Sequence, residues 1–433
     1  MNVKMKYGNG HVSFDVPDER LGGVVRPQRP PAPDDPQQYL ADRLASQLGS
    51  AARDCSGRDV LVLVPDGTRT LPHEIIFAAL VPLLKRARSI RVLLATGTHK
   101  AQTPDNDRIL DGIRAAAGQH GVRLASAAAH DCKTSGLYLA GTISNGNAIW
   151  LNELVREADT ILIAADTAPH YFAGYSNALK FLLPGVAGFE PTERNHAWTL
   201  DPQSSACRHP LHPDAARRTN PVAEGQLAAA RLVTAQKPVY ALTTVSSGAN
   251  VCWATFGPLE ESVSEGIRFV NSCLVQQVDR RFRRVVIGCG GYPNDETLYI
   301  AQRSLELTQE AVADDAEILW LAECRNGIAS SQQAVENFFT PLKGDAAAYI
   351  EQVRRRYVMY AHKTVRFVQL MGRLSALRVV SALPAVTFPA GLMTECADPC
   401  DVVARWVDEG EPILFIDEAN KLAIEGPALG EPG

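Results

Sequence analysis

The chain has no long apolar run. Stretches such as residues 60–64 are far shorter than the roughly 20 residues a bilayer-crossing helix needs. It has no basic excess either: Lys and Arg total 43 against 48 Asp and Glu, a net charge of −5. Nothing therefore favours a phosphate backbone or an anionic lipid surface, and neither a nucleic acid nor a membrane is expected as partner. Its nine cysteines, at 55, 132, 207, 252, 273, 289, 324, 396 and 400, form no CxxC pair. They read as reduced thiols, mostly small core residues, and not as a disulfide framework. The N-terminus shows no apolar signal-peptide core, and a cytoplasmic location is expected. The GxxxxGK[ST] phosphate loop and the GxSxG nucleophile elbow are both missing, and no internal repeat is visible.

What is present is ordinary globular composition, 46% hydrophobic and 21% charged over 433 residues. At about 150 residues per domain this suggests two or three domains, and two are expected. A hairpin is expected over 5–16 with Asn9-Gly10 at its turn, then a connecting loop over 22–38 and a helix over 39–48. Strands at 60–64, 90–95, 122–125 and 160–165 alternate with helices at 73–87 and 104–118, the signature of an α/β fold with a mainly parallel sheet. A polar, proline-rich stretch covers 200–222. A hairpin (239–245 and 251–256) turns at Ser247-Gly248, and a helix over 259–277 leads out of the first domain. A second α/β pattern has strands at 284–287, 317–321, 378–382 and 412–416. The expected division is a Rossmann-like domain over 1–277 and a smaller α/β domain over 278–433, with helices flanking both sheets and the active site in the cleft between them.

Ligands of such sheets sit beyond the carboxyl ends of the strands, and three loops there carry reactive residue types. The first, 65–72, holds Asp66-Gly67-Thr68-Arg69, in which the acid and the base can pair with each other or hold an anion. The second is Ala95-Thr96-Gly97-Thr98-His99. The third runs from Asp166 through His170 and Gly174-Tyr175-Ser176 to Lys180 and on to His196; its Gly174–Ser176 part suits an anion at a helix start. Lys180 falls in an apolar run read as helical, and burial would make its amine more nucleophilic. Elsewhere, His130 reads as a loop histidine, His209 and His212 as solvent-facing and Asp295 as a helix N-cap. Trp198 is read equally as core or as packing on a cofactor. His362-Lys363 is a candidate for lining a substrate pocket.

The ordered set resembles the lactate racemase family over nearly the whole chain: DGTR at 66–69, ATGTH at 95–99, the block from His170 to His196, Gly290-Gly291-Tyr292-Pro293-Asn294-Asp295, and Ala322-Glu323-Cys324-Arg325-Asn326-Gly327-Ile328. The resemblance implies racemisation or epimerisation at C2 of a 2-hydroxy acid by proton-coupled hydride transfer, through a 2-keto acid. It implies nickel held in a nickel-pincer nucleotide (pyridinium-3,5-bisthiocarboxylic acid mononucleotide), which cofactor-assembly enzymes supply and which can be attached to Lys180. His196 would then be the protein ligand of nickel, and His99 and His170 the acid/base pair. Arg69 would lie near the transferring hydride, oriented by Asp66. Thr68, Gly174, Tyr175 and Ser176 would bind the cofactor, and Tyr299, Ile300 and Arg303 the substrate. Asn177-Ala178-Leu179 stands where the family commonly has Gly-Gly-Ala or similar. Ile300 and Arg303 replace the usual Gln and Lys, which points to a substrate somewhat more apolar than lactate. The alternatives are a sugar-acid 2-epimerase with the same cofactor, a non-catalytic cofactor carrier, and a metal-dependent hydrolase or lyase. The sequence leaves the oligomeric state open.

Overall fold

The computed structural model describes residues 1–69 and 71–427, so Thr70 of the first candidate loop lies outside the described residues. The chain divides into two compact units. One comprises Arg29–Ala168 and Phe172–Ser272; the other comprises Met1–Gln28, Pro169–Tyr171 and the chain from Cys273 onward.

The first unit is built on a six-stranded sheet in the order Asn250–Pro258, Val239–Ser247, Thr160–Asp166, Asp59–Pro65, Ser89–Ala95, Ser126–Ala129. All neighbours are parallel except the edge hairpin 239–258. The central strands are continuous apolar runs because both faces are covered; Val60 through Val64 are all buried. The chain enters at Asp59–Pro65, moves outward through 89–95 and 126–129, then returns to the other side at 160–166. The order therefore reverses beside Asp59–Pro65, and the loops at 66–69, 96–99 and after 166 all leave carboxyl ends at that reversal. The expected strand at 122–125 forms instead at Ser126–Ala129, pairing with Arg91–Leu94. An alanine-rich edge strand has no β-branched pattern to mark it.

The second unit holds another six-stranded sheet, ordered Thr394–Glu395, Leu374–Val380, Val312–Leu321, Phe282–Gly288, Ile413–Ile416, Leu21–Val25, parallel throughout. Its last strand corrects the reading of 22–38 as loop throughout. Leu21-Gly-Gly-Val-Val is short and broken by glycine, and its pairing with 413–416 lies nearly 400 residues away. Residues 1–28 therefore pack with this unit, whereas a division along the chain at 277 assigns them to the other. The hairpin Asn2–Tyr7 and Gly10–Asp15 forms, with its turn at Gly8-Asn9, one residue before the expected Asn9-Gly10, because Gly10 already pairs with Tyr7 and Gly8 supplies the positive φ (+52°). Its turn sits at the carboxyl ends of the central strands: the Gly8 amide donates to Asp295 Oδ2 (2.7 Å) and Tyr292 N donates to Gly8 O (2.8 Å). Asp295 thus holds the hairpin, and Thr297 caps the helix Leu298–Thr308 in its place. The helix Leu259–Cys273 stops before 277 because Val275–Gln277 pairs as a strand with Ala423–Glu425. Among the described residues no helix is long and apolar enough to cross a membrane.

Candidate functional site

In the first unit the DGTR turn and the ATGTH strand end meet. The His99 Nδ1 lies 2.7 Å from Asp66 Oδ2. The other carboxylate oxygen accepts from the Thr68 amide (3.2 Å) and hydroxyl (2.6 Å). Burial pushes the Asp66 carboxyl up, but the hydrogen bonds from His99 and Thr68, with the charges of His99 and Arg69, outweigh it and hold the carboxyl below its usual range. Asp66 is therefore ionised at neutral pH and takes the Nδ1 proton as a hydrogen bond. In the neutral ring this leaves the lone pair on Nε2, and the His99 side chain is 47% exposed. Of the two readings of this loop, an Asp66–Arg69 pair or a hold on an anion, the described residues show no such side-chain ion pair: the carboxylate meets His99, and Arg69 joins the turn through its amide, which donates to Asp66 O (3.1 Å). Gly97 adopts φ +57°, which lets its amide reach Gly185 O (2.9 Å) and ties the second loop to the third.

The third loop is not the apolar helix expected around Lys180. A single 3₁₀ turn, Ala178–Phe181, forms; Asn177 caps it by accepting from Leu179 N (2.9 Å), and Gly185 N closes onto Lys180 O (2.8 Å). Lys180 is half-buried, its Nζ 5.6 Å from the centre of the Phe172 ring. The same ring meets His196 edge-on at 5.3 Å. His196 lies on the helix Phe189–Ala197 with Nδ1 2.9 Å from Thr192 O. A carbonyl only accepts, so Nδ1 carries the proton and the lone pair is on Nε2. Burial, with the Lys180 charge, lowers the His196 pKa to about 4, so the ring is neutral at pH 7.

Gly174 (φ +71°) could not carry a side chain, since a Cβ there would lie 1.8 Å from Arg208 O. Tyr175 is fully buried, stacked on His212 and edge-on to His209, with its hydroxyl donating to Asn271 Oδ1. Both histidines expected to face solvent are therefore buried: the proline-rich stretch folds over Tyr175. Ser176 is half-buried and Thr68 exposed. His130 is also buried, its nitrogens at Ala187 O (2.9 Å) and Asn152 Nδ2 (3.1 Å). Trp198 is 41% exposed and so is not a core residue. None of the nine cysteines is in a disulfide, and of the nine only Cys400 is exposed.

The remaining candidates lie in the second unit. His170 stacks on Tyr171 with ring centres 5.1 Å apart. Tyr299, Ile300 and Arg303 share the helix Leu298–Thr308 and are half-buried. His362 and Lys363, the candidates for lining a substrate pocket, are both buried. Lys363 Nζ donates to Tyr299 O (2.7 Å) and Gln302 Oε1 (3.1 Å) and sits 4.0 Å from the Tyr299 ring centre. Burial, then the Arg303 charge, holds its amine well below the usual range. Neither the Asp66–His99 pair nor this lysine cluster carries a local sequence signal; each joins residues more than 30 positions apart.

The family model described as the lactate racemase N-terminal domain matches residues 7–207. A lactate racemase of Thermoanaerobacterium thermosaccharolyticum is 25% identical over 336 residues, 75% of each chain. One of Lactiplantibacillus plantarum is 22% identical over 339 residues, again 75% of each. The solved lactate racemase apoprotein from T. thermosaccharolyticum superposes with a TM-score of 0.83 at 21% identity, covering 98% of this chain and 100% of that one. A Thermotoga maritima protein gives 0.64 at 16% identity, covering 93% and 100%. These two likenesses establish the α/β fold, and the domain match over 7–207 and the two relatives make the chain similar to lactate racemases.

Proposed function

We propose that the chain is an isomerase, a racemase or epimerase that inverts C2 of a 2-hydroxy acid, lactate-like or somewhat more apolar, with a nickel-pincer nucleotide as cofactor. The observation that carries this reading is the grouping in one unit of the Asp66-held His99 with a neutral His196 and Lys180. Among the described residues no three His, Cys, Asp or Glu side chains gather to hold a metal ion. The residues present therefore suit a metal that brings its other ligands with it and takes one imidazole. A neutral ring with its lone pair on Nε2, fixed by Thr192, has the donor chemistry for Ni(II). Lys180, on its capped turn, is the amine for covalent attachment. The first unit is assigned the cofactor, and Tyr299, Ile300 and Arg303 of the second the substrate.

The C2–H of a 2-hydroxy acid is too weakly acidic for easy deprotonation, and loss of hydride avoids a carbanion. When bound, the cofactor supplies a reversible hydride acceptor. The protein's task is the hydroxyl proton: a base must take it as the C2–O bond becomes a carbonyl and return it after the planar 2-keto acid is attacked on either face. His99 Nε2 does this for one enantiomer, with Asp66 stabilising the imidazolium that forms; His170 does it for the other. Arg303 suits a carboxylate, which it can bind through two parallel hydrogen bonds. Ile300 offers no polar contact, which disfavours a polyhydroxylated substrate.

The test is co-expression with cofactor-assembly enzymes, followed by nickel analysis, intact mass and chiral assay on lactate, 2-hydroxybutyrate, phenyllactate and malate. Stoichiometric nickel, a mass increment lost in Lys180→Ala and fastest turnover of an apolar 2-hydroxy acid are expected. Folded protein without nickel or added mass overturns the cofactor assignment, and a clear preference for malate overturns the substrate class.

A further inference from the structure

The three residues Pro169–Tyr171 pack with the second unit, although the chain on either side of them belongs to the first. Pro169 and His170 belong to the short strand Ala168–His170, and Tyr171, which follows it, ties the segment to this unit. That side chain is buried against one face of the helix Ala361–Met371. Its hydroxyl lies 3.2 Å from His362 Nε2, while Tyr357 OH lies 2.7 Å from His362 Nδ1. One turn on, Arg366 Nη2 donates to Tyr171 O (3.3 Å), with its guanidinium 5.9 Å from the ring centre. Arg366 is itself locked by Glu306 at 2.8 Å, with both side chains nearly buried. Lys363 Nζ stands 5.0 Å from the same ring. On the other side of Tyr171, in sequence and in space, is the stacked imidazole of His170.

We propose that His362 and Arg366 are positioning residues for His170, acting through Tyr171. This rests on the reading of His170 as an acid/base group. A neutral imidazole has one donor and one acceptor, so between two phenols it must take a proton from one and give its own to the other. The Tyr357–His362–Tyr171 chain thereby fixes the direction of the Tyr171 hydroxyl as well as its place. The Arg366 bond to the Tyr171 carbonyl fixes the backbone one residue from His170. Proton transfer depends steeply on donor–acceptor placement, and displacement of order 1 Å costs about a hundredfold, so a partly released segment is expected to lose about tenfold.

The test uses chemistry that packing alone would not distinguish. A glutamine amide reaches the place of a histidine Nε2, and an asparagine amide that of Nδ1. His362→Gln therefore keeps the bond to Tyr171, and His362→Asn keeps the one to Tyr357. Tyr171→Phe removes the hydroxyl and leaves the ring. Hydrogen–deuterium exchange of the peptide spanning 168–173 is read in the cofactor-free chain, and kcat and KM in the loaded enzyme. Exchange about tenfold faster and kcat about tenfold lower, with KM within twofold, are expected for Tyr171→Phe and His362→Asn; His362→Gln should stay near wild type in both. Wild-type exchange and kcat in Tyr171→Phe, or His362→Gln and His362→Asn behaving alike, overturns the proposal. If the exchange order holds while the loaded wild type turns over no 2-hydroxy acid, the anchoring stands and the acid/base reading of His170 falls.

Discussion

Asp66→Asn is the most informative single change in the first unit. Two donors from Thr68, its amide at 3.2 Å and its hydroxyl at 2.6 Å, converge on Oδ1. The introduced amide must therefore put its oxygen there and its NH₂ toward His99. Nδ1 then has to accept, which moves the ring proton to Nε2, the atom needed as base. Losing a charge-assisted hydrogen bond costs about 1.5–3 kcal/mol, reduced to about 1–2 by the half-exposure of His99. Restoring the working tautomer means turning the amide against the Thr68 donors, about 1–2 kcal/mol more. The sum, about 2–4 kcal/mol, corresponds to about 30- to 1,000-fold in kcat. The assay is steady-state racemisation by the nickel-loaded variant, with nickel content and thermal midpoint measured on the same sample. A variant with wild-type nickel and a kcat within threefold of wild type would refute the argument that Asp66 holds His99 as the base.

Gly174→Ala should destabilise by about 3 kcal/mol or more, since a positive φ and a backbone collision coincide; a thermal midpoint within 2 °C of wild type, by about the usual conversion, would contradict this. His209 is held down to about 3 by burial, then by the charge of His212. The unfolded chain therefore binds this proton first, so the stability is whole above about pH 6.5 and falls by up to about 1.4 kcal/mol per pH unit toward pH 3. Urea midpoints across pH 4–7 should fall less steeply in His209→Asn; identical slopes would refute the linkage. Thiol titration of the native protein should find Cys400 alone reacting fast, with the buried eight released only by denaturant; several fast thiols would contradict the buried assignments.

Much of this protein was legible in the sequence because the signals are local. Apolar runs marked the central strands at 59–65, 89–95 and 160–166, because strands covered on both faces must be apolar throughout. Glycine and asparagine at 8–10 and Ser247-Gly248 marked two hairpins, although the first turn is Gly8-Asn9, one residue before the expected Asn9-Gly10, with the positive φ on Gly8 (+52°) as on Gly248 (+63°). The crowding of reactive residue types at strand ends marked the loops, and their order marked the resemblance to lactate racemases. Tertiary structure decided what depends on distant partners. Leu21–Val25 is a strand because Ile413–Ile416 lies beside it. His209 and His212 are buried because Tyr175 needs cover. Asp66 serves His99 instead of its neighbour Arg69 because two strand ends lie side by side in a parallel sheet. Lys363 is buried because Tyr299 and Gln302 accept its protons. A sequence lists donors and acceptors, but which of them pair is settled only when the fold closes the distance between them.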